Sequence, residues 1–128
     1  MADKVKILVI DDEEDICHFT KSILEKTGRF EVFSSTNPVT GISLAKAHKP
    51  DLILLDVFMP QMDGSKVAES LLHEESTKSI PIAFLTAIVQ QKDVDKGAGS
   101  IGGRYFIPKP VAPKELITRI KEILKLQD

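Results

Sequence analysis

Short apolar runs alternate with amphipathic stretches along the chain. The runs are Val5 to Ile10, Phe30 to Phe33, Leu52 to Leu55, Ile82 to Leu85 and Tyr105 to Ile107. The first and third are nearly continuous apolar segments, the pattern of strands covered on both faces. Helical spacing fills the intervals. Ile16, Phe19, Ile23 and Leu24 fall on one helix face, with Gly28 as a stop signal after it. Asn37-Pro38 reads as an N-cap and a first-turn proline opening a helix through His48. Val67, Leu71 and Leu72 mark a third helix. Pro113 opens the last one, striped by Leu116, Ile120, Ile123 and Leu124.

The weak stretch is residues 90–103, QQKDVDKGAGSIGG. It holds two large apolar residues, Val94 and Ile101, and four glycines. Each interior glycine costs a helix about 1 kcal/mol relative to alanine. The pattern predicts a fourth helix that is short or mobile, and a loop over 97–103. Strands alternating with helices imply parallel βαβ units with right-handed crossovers. Five of each make a single doubly wound five-stranded parallel sheet with five helices, an α/β domain over residues 1–128.

Composition narrows the function classes. At 42% hydrophobic and 28% charged, the chain is globular rather than disordered. The net charge of −2 comes with no basic stripe, so direct nucleic-acid binding is not expected. No apolar run approaches the ~20 residues needed to span a bilayer. The start Met1-Ala2-Asp3-Lys4 lacks the apolar core of a signal peptide. Cys17 is the single cysteine and forms no internal disulfide, so a reducing cytoplasm is the expected location. It reads as a packing or surface thiol. His18, His48 and His73 fall on separate predicted helices and read as surface residues.

The chemistry gathers where the runs end. Asp11 and Asp12 close the first, Asp56 the third, Thr86 the fourth, and Lys109 follows the fifth. A lone aspartate at a strand end is ordinarily a turn former or helix cap. Here, however, the strand ends share the rim where doubly wound sheets bind ligands. Three carboxylates at one point are costly without a cation. Oxygen ligands suit a hard divalent ion, Mg²⁺, for which Mn²⁺ could substitute. Such an ion can clamp a phosphate oxygen, making Asp56 a candidate nucleophile that forms an acyl phosphate. Thr86 can donate a hydrogen bond to the new group, and Lys109 can pair with it as a compact cation. Asp63 before Gly64 reads as a turn residue rather than a ligand.

Four stretches carry a resemblance. They are Ile10-Asp11-Asp12-Glu13-Glu14-Asp15, the segment from Leu54 to Gly64 (LLDVFMPQMDG), Leu85-Thr86-Ala87, and Lys109-Pro110. In this order and spacing the chain resembles the receiver domains of bacterial two-component response regulators, the CheY-like family with a flavodoxin-like fold. The resemblance implies that Asp56 is the phosphoacceptor. Asp11 and Asp12 become the acidic pair, with Asp12 the direct metal ligand, and Phe58 offers a backbone carbonyl to the metal. Thr86 becomes the switch hydroxyl, Lys109 the phosphate-pairing lysine and Phe106 the switch aromatic. Lys109-Pro110 would be a cis peptide, as X-Pro bonds permit. The implied donor is a histidine on a sensor kinase or a histidine phosphotransfer protein. The implied output is an unidentified downstream protein, with a phosphorylation-linked dimer as a candidate assembly.

Some residues depart from the family pattern. Phe58 and Ile88 are apolar at positions flanking the path of a hydrolysing water, which predicts a long-lived acyl phosphate. Phe106 lacks a tyrosine hydroxyl, and the neighbouring Tyr105 should face the opposite side of its strand. The resulting expectation is a phosphorylation-controlled switch that catalyses only its own aspartyl phosphorylation, not a turnover enzyme. The alternatives are a phosphorylation-independent receiver-like interaction module and a phosphohydrolase, for which the chain lacks a cap-sized insertion. No output domain follows the last helix, so the chain reads as a stand-alone receiver or one cut from a longer regulator.

Overall fold

The computed structural model describes residues 4–56, 64–86, 100–101, 104–108 and 112–126. The elements in chain order are β1 (Val5–Ile10), α1 (Glu14–Glu25), β2 (Phe30–Ser35), α2 (Pro38–His48), β3 (Leu52–Asp56), α3 (Gly64–His73), β4 (Ile82–Thr86), β5 (Ser100–Ile101), β6 (Arg104–Pro108) and α4 (Pro113–Leu124). The strands form one sheet in the order β2-β1-β3-β4-β6-β5. The five expected strands are all parallel.

The sheet carries one strand more than the sequence pattern predicts. Ser100 and Ile101, inside the expected loop, pair antiparallel with Tyr105 and Arg104. Gly102-Gly103 separates Ile101 from Arg104, and this dipeptide is of the composition that two-residue hairpin turns favour. The rest of the expected fourth helix, residues 90–99, lies outside the described residues.

Period-two alternation builds two cores, one on each face of the sheet. Ile7 and Val9 of β1, Leu52 and Leu54 of β3, and Ala83 and Leu85 of β4 face Cys17 and Leu24 of α1 and Leu116 and Ile120 of α4. Leu8, Ile10, Ile53, Leu55, Ile82 and Phe84 face Ala45 of α2 and Val67, Ala68 and Leu71 of α3. Tyr105 packs on the first face and Phe106 on the second, as alternation requires.

The helices begin where their sequences direct. Asn37 caps α2, its Oδ1 accepting from the backbone N–H groups of Val39 at 2.9 Å and Thr40 at 3.1 Å. Gly28, after α1, takes a positive φ of 78°. Asp51 ties the start of β3 to β1: its Oδ2 accepts from Lys6 N at 2.8 Å while its own N–H donates to Lys6 O.

Three side chains lie elsewhere than the apolar pattern implies. The buried stripe of α1 is Cys17, Thr20 and Leu24, not the row through Phe19, which is 47% exposed. The small Cys17 and Thr20 are the residues turned to the sheet, while Ile16 and Ile23 sit half-buried at the flanks. Leu72 is 42% exposed because Val67, Ala68 and Leu71 take the inward face of α3. His48 is not a free surface residue: its ring stacks on Phe33 with centroids 4.1 Å apart.

Gly41 sets the distance of α2 from the sheet. A Cβ there would lie 2.6 Å from Ile10 Cδ1 and 2.7 Å from Ile10 Cγ1. Alanine would gain about 1 kcal/mol in helix propensity, but overpacking a fixed neighbour costs about 1–3 kcal/mol. Gly41→Ala should therefore lower stability by about 1 kcal/mol in urea unfolding, and by less in an Ile10→Val background. A Gly41→Ala protein as stable as the parent would show that Ile10 turns aside freely.

Candidate functional site

The topology dictates where a site can form. From β1 the chain crosses to β2 on one side and then returns to β3 on the other. The connections after β1 and β3 therefore diverge, opening a crevice beyond their C-terminal ends. Ile10 pairs with Leu55, so Asp11 stands level with Asp56 across this switch point. Asp11, Asp12 and Asp56 each bring a carboxylate oxygen within 4.8 Å of the others.

Local structure fixes the acidic pair. Asp11 is fully buried. Its backbone N–H donates to Ser35 O at 3.2 Å, which pins the loop to the end of β2. Its Oδ1 accepts from Glu13 N at 2.9 Å, an Asx turn that aims the chain into α1. The thiol of Cys17, on the buried face of α1, donates to Asp11 O at 3.4 Å. Glu14 and Asp15 fill the first turn of α1, where negative charge complements the helix dipole. Asp12 is half-exposed between these anchored neighbours.

On the other side of the crevice, Asp56 is the last residue of β3 and pairs with Leu85 of β4. Thr86 follows Leu85 and pairs with Pro108, the residue before Lys109. The backbone thus brings Thr86 to the same rim as Asp56. The Thr86 side chain, Phe58, Ile88 and Lys109 lie outside the described residues. Phe106 is described: it stacks on Phe84, with ring centroids 5.4 Å apart and planes inclined by 25°.

The donor set is chemically uniform. Three carboxylates and no sulfur or imidazole suit a hard divalent cation that keeps waters in its shell.

Sequence reasoning missed two contacts here. The Cys17–Asp11 bond had no motif to announce it. The Phe84–Phe106 stack was legible only through strand register, since the residues lie 22 positions apart in the chain.

Comparisons with known proteins agree with this geometry. The family model for the response regulator receiver domain matches residues 7–121. The alkaline phosphatase synthesis transcriptional regulatory protein PhoP of Bacillus subtilis is 36% identical over 121 residues, covering 94% of this chain and 48% of its own length. The transcriptional regulatory protein YvrH of the same organism is 39% identical, covering 96% of this chain and 50% of its own. The chain thus spans about half the length of the curated relatives it matches. In fold, the Vibrio cholerae chemotaxis protein CheY4 superposes with a TM-score of 0.81 at 24% identity, covering 94% of this chain and 99% of that one. The five parallel strands and their flanking helices are a flavodoxin-like arrangement.

If the cluster holds a divalent cation, added Mg²⁺ should raise the thermal midpoint of the parent above its value in chelator. At a hundredfold excess over Kd, the gain is about 2.7 kcal/mol. Asp12→Asn should weaken that gain. Asp56→Asn should raise stability in chelator by removing one of the three like charges. A parent midpoint insensitive to Mg²⁺ would overturn the assignment.

Proposed function

The chain belongs to the response regulator receiver domain family, and we propose that Asp56 receives a phosphoryl group from a histidine of a partner kinase or phosphotransfer protein. The observation that carries this reading is the meeting of Asp11, Asp12 and Asp56 within 4.8 Å at the switch point of the sheet. Neither a turn nor a helix cap needs three carboxylates there.

In the proposed step, an Asp56 carboxylate oxygen attacks the phosphorus of a phosphohistidine. An O–P bond forms as the P–N bond breaks, and the imidazole, protonated on its other nitrogen, leaves neutral with the electron pair. Asp11, Asp12, Asp56 and the Phe58 carbonyl would hold Mg²⁺, which would neutralise charge on the transferring group. Asp11, anchored by Ser35 O, Glu13 N–H and the Cys17 thiol, keeps the acidic pair in place without further ordering. Thr86 donates its hydroxyl to the phosphoryl oxygen and Lys109 pairs with it. Phe106 responds as the switch aromatic.

The protein is then a signalling switch rather than a turnover enzyme. A cytoplasmic location fits such a partner, and no described helix is long and apolar enough to cross a membrane.

Incubation with Mg²⁺ and acetyl phosphate, followed by intact mass measurement over time, tests the reading. One phosphoryl adduct should appear in the parent and be absent from Asp56→Asn. No adduct in the parent would favour a phosphorylation-independent interaction module, and rapid turnover of a phosphomonoester would favour a hydrolase. The lifetime of the adduct gives a second test. With Phe58 and Ile88 shielding the acyl phosphate, Phe58→Asn should speed its loss by about tenfold, equivalent to ~1.4 kcal/mol of barrier. An unchanged decay rate would remove the shielding role.

A further inference from the structure

We infer that Phe84 is a positioning residue for the switch: its ring holds Phe106 through a stack that sets how readily Phe106 changes rotamer. The inference rests on the reading of Phe106 as the switch aromatic. Phe84 and Phe106 are direct register partners on the adjacent parallel strands β4 and β6. Both side chains project onto the sheet face that carries α2 and α3. Phe84 is 4% exposed and therefore fixed in the core, whereas Phe106 is only partly buried. Their ring centroids are 5.4 Å apart and their planes 25° from parallel, within the range of favourable aromatic pairs.

The chemistry of Phe106 makes this contact decisive. A tyrosine could be held in one rotamer by a hydrogen bond from its hydroxyl. Phenylalanine has no polar atom, so packing alone selects among its rotamers. A rotation of Phe106 about χ1 must slide or separate the two rings. Aromatic pairing beyond simple burial is worth a factor of about 2 to 10 in such an equilibrium.

Phe84 is also well placed to transmit. Two residues further along β4 the strand ends in Thr86, level with Pro108 of β6. A displacement of the β4 end toward a phosphoryl group on Asp56 would reach Phe106 through a ring already in contact with it. Phe84 thus couples the two switch residues from outside the acidic site.

The test uses ring-labelled phenylalanine and NMR on the full chain, with Phe106 assigned by its loss in Phe106→Leu. Phe84→Leu keeps an apolar side chain but removes the ring. It should move the Phe106 resonances by loss of ring current and change the ratio of its conformers by about 2- to 10-fold. Phe84→Tyr, which retains a ring, should restore the parental pattern. In the parent, phosphorylation of Asp56 with Mg²⁺ and acetyl phosphate should shift the Phe106 conformers, and in Phe84→Leu the size of that shift should change while the phosphoryl adduct still forms. Phe106 conformers and their response identical in parent and Phe84→Leu would overturn the inference. If intact mass shows no adduct on Asp56 in the parent, the proposed function fails, and the Phe106 conformer ratio before phosphodonor addition decides the positioning role by itself.

Discussion

Like charges meeting where the strand order reverses are the constraint on which the rest of this structure depends. Two unit charges 4.8 Å apart repel by about 3 kcal/mol at an effective dielectric of about 20, and Asp11, Asp12 and Asp56 are all at least that close. The sheet cannot relieve this by sliding. β1 and β3 are paired from Ile7–Leu52 to Ile10–Leu55, and all of these residues are buried. A one-residue slip would turn every side chain of the strand that moved to the wrong face. The repulsion must instead be met by compensating groups. Glu13 N–H provides one for Asp11, and the three carboxylates together are a set that could hold a cation. The site is therefore sensitive to charge by construction, and a phosphoryl group on Asp56, if added as proposed, would alter the quantity it is built around.

The two faces of the sheet take different parts in that response. Asp11 is fastened to the α1 face through the Cys17 thiol and to β2 through Ser35. On the opposite face, Gly41 lets α2 settle directly onto Ile10, the residue before Asp11. All three contacts hold the β1 side of the crevice. Beyond β3, the stack of Phe84 on Phe106 lies two residues before the rim-level pair Thr86–Pro108.

Much of this was legible in the sequence because it followed from local rules. Nearly continuous apolar runs located the buried strands, Asn37-Pro38 located the start of α2, and the aspartates at the ends of two runs located the acidic cluster. What escaped depended on long-range geometry. Phe19 and Leu72 fit helical stripes, yet helix orientation against the sheet gave inward positions to Cys17, Thr20 and Ala68. A glycine-rich segment that reads as loop includes Ser100 and Ile101, whose pairing appears only when β6 lies alongside. The Phe84–Phe106 stack likewise exists only through the register of two strands distant in the chain.

The same distinction bears on how a charge change could propagate. Directional bonds fix Asp11: its N–H, carboxylate and carbonyl all have partners, so moving it breaks several hydrogen bonds at once. Each such bond to a buried polar group is expensive to leave unmade. Two stacked rings make a different kind of contact. Dispersion and quadrupole interactions fall off gradually as rings slide, and no donor or acceptor is orphaned by the movement. A perturbation at Asp56 would thus meet directional side-chain and loop bonds on the β1 side, and on the β4–β6 side a ring contact that can slide while the strand ladder stays intact. If Asp56 is phosphorylated as proposed, the Phe84–Phe106 pair is the contact through which a side-chain rearrangement could pass from β4 to β6 without breaking a side-chain hydrogen bond.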